Sequence, residues 1–316
     1  MTISPDFRRS SSPPNSGFSD VDAVIAALRA EDYIAERDLA TAIYLSLSMG
    51  KPIFLEGEPG VGKTEVAKAL ARCLGSELIR LQCYEGLDVS TAVYEWNYRR
   101  QLLHLRGLEA AGGGDARTVV DDVFSSDFLL ERPLLRAVRQ SRRGDAPPVL
   151  LIDELDRADE EFEAYLLEIL ADFQITIPEI GTVAAETPPV AVVTSNRTRE
   201  VHDALKRRCL YHWIDFPDYE KEVQIVLRRV PEAPKHFAAE IVRLVQALRE
   251  EDLFKQPGVA ETLDWTNALI ALDQETLSDD ILRDTLGVLL KYQDDLDKID
   301  DEAVRRLLRK SQSNGD

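Results

Sequence analysis

Gly57-Glu58-Pro59-Gly60-Val61-Gly62-Lys63-Thr64 is the stretch whose residue types and spacing say most about chemistry. It satisfies G-x-x-x-x-G-K-[ST] at every fixed position. Glycines so spaced let backbone N–H groups converge on phosphate oxygens. The lysine then reaches the β- and γ-phosphates, and the following hydroxyl ligates Mg²⁺. The ligand this pattern implies is ATP with Mg²⁺. The candidate binding residues are Gly57, Glu58, Pro59, Gly60, Val61, Gly62, Lys63, Thr64 and Glu65, with Thr64 as a metal ligand.

A second constellation lies downstream. Val149-Leu150-Leu151-Ile152 is an apolar run that ends in Asp153-Glu154. A carboxylate beside a core is costly unless compensated, and a divalent cation compensates it. Asp153 is therefore the second candidate metal ligand. Glu154 is the candidate that polarises the attacking water, which equips the site for hydrolysis rather than transfer to a hydroxyl. The plainer alternative is a strand emerging into solvent. Asn196 ends the run Val190-Ala191-Val192-Val193-Thr194-Ser195. Its amide can bond both the γ-phosphate and the water, or it simply suits a turn. In Asp203-Ala204-Leu205-Lys206-Arg207-Arg208-Cys209, Arg208 is the first candidate and Arg207 the second for a cation offered to a neighbouring subunit's γ-phosphate. A solvated basic helix end is the alternative there.

These residues need elements to hold them. Residues 52–55 read as a buried strand, and Val66, Ala69, Leu70, Cys73 and Leu74 fall at helical spacing after the glycine turn. Residues 78–83, 149–152 and 190–194 read as further strands, and Phe162, Leu166, Ile169 and Leu170 mark a helix between them. Strands alternating with helices predict a parallel sheet covered on both faces. Helices are expected over Asp20–Ala30 and Glu36–Met49, and over Phe128–Arg139 with an interruption near Pro133. A hairpin is expected over Gln174–Val183, turning near Gly181, and a flexible loop at Gly112-Gly113-Gly114. Tyr94, Trp96 and Tyr98 alternate with polar residues, which predicts a strand or hairpin. Those aromatics could grip a client protein or pack on their own domain. After Asp218 the strand signal vanishes. Phe237, Ile241, Leu244, Val245 and Leu248 form a helix stripe, Ser278 caps a helix reaching about Lys291, and a charged helix covers about Leu296 to Leu308. The expected domains are a Ser/Pro-rich disordered tail over 1–19, an α/β core over 20–217, a helical domain over 218–309 and a polar tail over 310–316.

Composition narrows the classes. Apolar residues make up 44% and charged residues 30% of the 316, as in globular proteins. No apolar run approaches the about 20 residues of a membrane span. Arg8 and Arg9 are followed by no apolar segment, so no signal peptide is expected. Cys73, Cys83 and Cys209 lack paired spacing and read as reduced thiols of a cytoplasmic protein. The formal charge of −19 disfavours a nucleic-acid motor, because phosphate repels an acidic chain. The short clusters Arg99-Arg100, Arg142-Arg143 and Lys206-Arg207-Arg208 do not reverse that. A scaffold that binds ATP without turnover is a competing class, and Glu154 argues against it.

Taken together, GEPGVGKT, VLLIDELDRADEEFEAYLLEIL, VVTSN and ALKRRC resemble the AAA+ superfamily. FLLERPLLRAV, LLEIL followed by QITI, and KQPGVAETLDW are similar to the MoxR family, within it to the branch of the carbon monoxide dehydrogenase accessory ATPase (CoxD). The resemblance covers about residues 30 to 292. It implies an αβα P-loop NTPase core with a small all-helical lid, in a homo-oligomeric ring, usually a hexamer. Lys63, Thr64, Asp153, Glu154 and Asn196 would then face Arg208 of the next subunit across the nucleotide. It further implies a chaperone role in metal-cofactor insertion, with a partner bearing a von Willebrand factor A domain. The client would be a molybdenum-containing dehydrogenase; related members serve Rubisco or nitric oxide reductase. One departure stands out: Glu261 occupies the place of a lid sensor arginine, and Arg283 lies later in the chain.

Overall fold

The computed structural model describes residues 17–110, 122–141 and 146–312. The expected disordered tail falls almost wholly outside these residues, as do the Gly112–Gly114 loop and the Arg142-Arg143 pair.

The central sheet has five strands, ordered β2-β5-β8-β1-β9: β1 Ile53–Gly57, β2 Leu78–Gln82, β5 Val149–Asp153, β8 Val190–Ser195 and β9 Leu210–Ile214. It is a parallel sheet flanked by helices, the P-loop NTPase fold expected from the sequence, with a helical C-terminal part. The three inner strands β1, β5 and β8 are buried at every residue, which is why each opens on an apolar run and turns polar only toward its C-terminal end. The outer strand β2 is part exposed, and its middle residue Arg80 lies open to solvent. The register sets Arg80 opposite Leu151 and Gln82 opposite Asp153. Residues two apart in a strand share a face. Arg80, Gln82 and Asp153 therefore project to the same side of the sheet.

The chain divides into two compact units. The first combines the described residues through Ala27 with Glu36–Leu55 and Leu70–His212. Its core gathers Phe54, Leu81, Trp96, Leu134, Leu150, Ile152, Leu166 and Val193. The second combines Leu28–Ala35, Glu56–Ala69 and the chain from Trp213 onward. Its helices are Tyr219–Arg229, Lys235–Arg249, Val259–Ala271, Asp279–Leu289, Gln293–Lys298 and Asp301–Gln312. Phe237, Ile241, Leu244 and Leu248 face Trp265, Leu282 and Leu307 in its core. Ser278 caps as expected, accepting from the Ile281 amide at 3.3 Å. No helix among the described residues is long and apolar enough to cross a membrane.

Several expectations need correction. β9 has no counterpart in the sequence reading: Leu210-Tyr211-His212-Trp213-Ile214 is part exposed at the sheet edge and carries no continuous apolar run. The 128–139 helix is instead a short turn to Phe128, a strand β4 at Leu129–Glu131, and a helix Pro133–Gln140 that Pro133 opens. Proline is favoured at a first helical turn, so it starts this helix rather than interrupting one. The aromatic alternation also breaks. β3 covers only Tyr94–Trp96 and pairs antiparallel with β4, while Tyr98 opens the helix Tyr98–Ala110. Trp96 is 6% exposed and packs edge-on to Phe124. It is a core residue of its own domain, and Tyr98 is the exposed aromatic. The expected hairpin does form, as β6 Gln174–Ile177 with β7 Gly181–Ala184, and it turns next to Gly181 as expected. The charged C-terminal helix is two helices, the second running on to Gln312.

A buried ion pair ties the second unit together. Glu222 is fully buried; both carboxylate oxygens accept from Arg249 at 2.7 Å, and the Thr262 hydroxyl adds a bond at 2.8 Å. Arg249 also donates to the Pro257 carbonyl at 2.7 Å and stacks over Phe216. Removing one partner leaves the other charge buried and unpaired. Arg249→Met is expected to destabilise this unit by ~3–5 kcal/mol, and Arg249→Met/Glu222→Leu by much less. Urea unfolding of the two variants checks this; equal losses would show that a stranded Glu222 charge is not what destabilises the single variant.

Candidate active site

β1 runs into the glycine loop and the loop into the helix Lys63–Leu74, the loop itself belonging to the second unit. The Lys63 ammonium is buried and donates to the carbonyls of Gly57 and Glu58, both at 2.7 Å. Gly57 cannot carry a side chain, because a Cβ would lie 2.2 Å from the Ile214 carbonyl oxygen. Gly60 has φ of +81°, in the left-handed region. That turn presents its carbonyl to the start of the helix Val259–Ala271, where the amides of Val259 and Ala260 donate to it at 3.1 and 3.4 Å. The Glu261 carboxylate accepts from the Gly258 amide at 3.0 Å, the one half of a capping box that a glycine N-cap allows. The residue standing where the family resemblance implied an arginine thus closes the helix end against the phosphate loop. Arg283 is paired with Asp301 at 2.9 Å.

Beside the loop, still in the second unit, lies a cavity of about 200 Å³. Tyr33, Ile34, Val61, Ile214, Pro217 and Leu263 give it apolar walls. Glu65 and Arg229 line it as well and pair at 3.6 Å.

The first unit carries the acids. Asp153 is 1% exposed at the end of β5. Its Oδ1 accepts the Thr194 hydroxyl at 2.6 Å; its Oδ2 accepts two bonds from Arg80, at 2.9 and 2.5 Å. Glu154 has φ of +55°, rare for a residue with a side chain and a cost of ~1–3 kcal/mol. Its amide bonds the Thr194 hydroxyl oxygen at 2.9 Å, which holds that turn. The Glu154 carboxylate accepts from Gln82 at 3.0 Å and Arg157 at 3.1 Å, with the Asn196 amide at 3.5 Å. Asp156 is buried and accepts from the backbone of Asn196 at 3.1 Å and of Thr198 at 2.9 Å, fixing the loop that carries Asn196.

The expected partners Asp153, Glu154 and Asn196 therefore come together. Hard oxygen donors of this kind suit Mg²⁺, which takes one or two carboxylates along with substrate phosphates. The Asp153 carboxylate fits such an ion, and the Glu154 carboxylate lies beside it with Gln82 and Asn196 at its oxygens. Arg208 stands apart from them: it is exposed and donates to the Leu167 carbonyl. Arg207 is 82% exposed and pairs loosely with Asp203 at 3.8 Å. Sequence reasoning missed Arg80, Gln82, Thr194 and Asp156. For Arg80 and Gln82 the available signal was two polar residues two apart on an outer strand.

Burial pushes the Cys83 thiol up to about 12, and the charge of Asp153 beside it adds to this. Burial does the same to Cys209. Unfolded thiols ionise near 9.0, so the folded chain holds more protons between the two values. Both thiols should accordingly lower stability as pH rises from about 9 toward 12, and have no effect below that window. At pH 8 a disulfide reagent should modify half-buried Cys73 first, with Cys83 and Cys209 reacting only on unfolding. Rapid native labelling of Cys83 would contradict this.

Gly258 offers a second check. A Cβ there would lie 2.8 Å from both the Gly60 Cα and the Pro59 carbonyl. Gly258→Ala is expected to cost ~1–3 kcal/mol by forcing the helix end off the loop. Gly107→Ala, with open space around it, is the comparison and should be neutral or stabilising. Equal unfolding midpoints would mean the loop and helix do not hold each other in solution.

Known proteins provide context. Gas vesicle ATPase GvpN of Haloferax mediterranei is 26% identical over 271 residues, covering 81% of this chain and 73% of that protein. Gas vesicle ATPase GvpN1 of Halobacterium salinarum is 24% identical, covering 65% of this chain and 58% of that protein. The Holliday junction branch migration motor RuvB of Thermotoga maritima aligns with 92% of this chain and 74% of its own, at 19% identity and a TM-score of 0.45. Residues 52–209, half of the chain, match the AAA domain of the dynein-related subfamily, and the chain belongs to that family.

Proposed function

We propose that this AAA protein is a Mg²⁺-dependent ATPase that converts hydrolysis into remodelling of another protein, working as a homo-oligomeric ring. The observation that carries the reading is Glu154, held in a strained turn with Asn196 and Gln82 at its carboxylate. A site that only bound nucleotide would have no use for a carboxylate so fixed. In this reading Lys63 and the loop amides from Gly57 to Glu65 hold the phosphates, and the apolar cavity beside them takes the base. Thr64 and Asp153 hold Mg²⁺, Glu154 activates water, and Asn196 orients it. The exposure of Arg208 supports its service to a neighbouring subunit's nucleotide, with Arg207 as second choice. Residues 20–217 act as the ATPase core and 218–309 as its lid.

The motifs shared with MoxR proteins of the CoxD branch support a chaperone in the assembly of a molybdenum-containing dehydrogenase. A von Willebrand factor A domain partner and a cytoplasmic setting belong to the same reading. The likeness to two gas vesicle ATPases supports a second reading, in which the client is a gas vesicle component. Glu154→Gln is expected to bind ATP normally and hydrolyse it ~10²–10⁴-fold more slowly. Lys63→Ala should lose nucleotide binding itself. Turnover by Glu154→Gln at the wild-type rate would end the hydrolytic reading. Partners captured by ATP-loaded Glu154→Gln would decide between the two clients.

A further inference from the structure

An ion pair of the first unit with one buried end, Arg80 with Asp153, is one the proposed chemistry does not use. Arg80 gives Nε and Nη2 to one oxygen of Asp153, at 2.9 and 2.5 Å, and the same Nη2 lies 2.5 Å from Gln82 Oε1. The Gln82 amide nitrogen in turn donates to Glu154 at 3.0 Å. A single chain of bonds thus links Asp153, Arg80, Gln82 and Glu154. The two members of its ion pair differ sharply in exposure. The Asp153 side chain is 2% exposed and that of Arg80 is 49% exposed. The carboxylate cannot leave, whereas the guanidinium can swing into water at little cost, because half of it is already hydrated.

We propose that Arg80 is a displaceable counter-ion, a positioning residue that neutralises Asp153 until a metal takes its place. The inference rests on the reading of Asp153 as a Mg²⁺ ligand. Two N–H groups fill the lone pairs of Asp153 Oδ2, so a metal ion or its bound water cannot use that oxygen while Arg80 holds it. Like charges at one carboxylate also repel. Metal arrival therefore releases Arg80. The release loosens Gln82 from one side and, through it, the grip on Glu154. Occupancy of the metal position is thereby reported to the carboxylate that activates water.

Metal binding tests this directly, without activity as the readout. Mn²⁺ affinity is measured by the electron paramagnetic resonance of the free ion, with a non-hydrolysable ATP analogue saturating. Arg80→Met, which keeps the length and drops the charge, should bind Mn²⁺ about three- to tenfold more tightly than wild type. Arg80→Lys should fall between. Metal-free Arg80→Met should melt lower than wild type and recover more on adding metal and nucleotide. Unchanged or weaker Mn²⁺ binding by folded Arg80→Met would overturn the proposal. Should Arg80→Met not fold, Arg80→Gln carries the same expectation, and wild type offers an independent readout. Its Arg80 Nε–H nuclear magnetic resonance signal should be protected without metal and lost on adding Mg²⁺ with the analogue, but not with the analogue alone. A signal that persists with metal overturns the proposal too. Asp153→Asn separates the two levels: if it binds Mn²⁺ as wild type does, the metal-ligand reading itself fails. If it loses Mn²⁺ while Arg80→Met gains nothing, only the counter-ion proposal falls.

Discussion

A buried negative charge at the end of an apolar strand governs the first unit. Asp153 follows four fully buried apolar residues and is itself withdrawn from water. An isolated carboxylate there would cost several kcal/mol or take up a proton. Each neighbour can be understood as an answer to that constraint. Thr194 donates from β8, Arg80 donates from β2, and the backbone of β5 continues the ladder to Cys83. Sheet register makes these answers possible, since Gln82 lies opposite Asp153 and Arg80 stands two residues back on the same face. The same carboxylate that must be compensated without a ligand is the one a metal would use. Stability and chemistry therefore draw on a single charge.

The second unit solves a different problem, that of holding a glycine loop in one shape. Glycines confer the backbone freedom the loop needs and also the entropy it must lose. Neighbouring backbone supplies the restraint. Ile214 closes over Gly57 at a distance no side chain could share, and the helix beginning at Val259 caps the Gly60 carbonyl. Glu261 belongs to this restraint through its capping bond to Gly258. The restraint is therefore made by backbone from both directions, with the helix Val259–Ala271 and the glycine loop holding each other inside one unit.

The sequence made legible what depends on local pattern. Buried runs announced β1, β5 and β8, the glycine spacing announced the phosphate loop, and Asp153, Glu154 and Asn196 were legible because they end those runs. What escaped depends on partners distant in sequence. β9 is visible only as the neighbour of β1, since an edge strand needs no apolar continuity. β3 pairs across more than thirty residues with Leu129–Glu131, so the alternation at Tyr94 and Trp96 carried no hint of where the strand ended. For Trp96 the local pattern left client contact and packing on its own domain both open, and Phe124 and the core enclose it. Arg80 and Gln82 could not be assigned to the acids without the register of two strands separated by the whole β3–β4 region.

The backbone adds a final constraint. Glu154 and Arg197, which follow the ends of β5 and β8, both adopt positive φ, at +55° and +58°. Each such residue costs ~1–3 kcal/mol and persists only where its surroundings enforce it. At Glu154 the enforcement is the Thr194 hydroxyl on its amide; around Arg197 it is Asp156, which binds the amides on either side. The strained turns bend the chain sharply where extended strand would carry the side chains onward past the sheet. Glu154 and Asn196 are thereby brought within reach of each other from strands that are themselves adjacent. A flexible loop could bring them together only part of the time, whereas a strained turn locked by buried hydrogen bonds does so continuously.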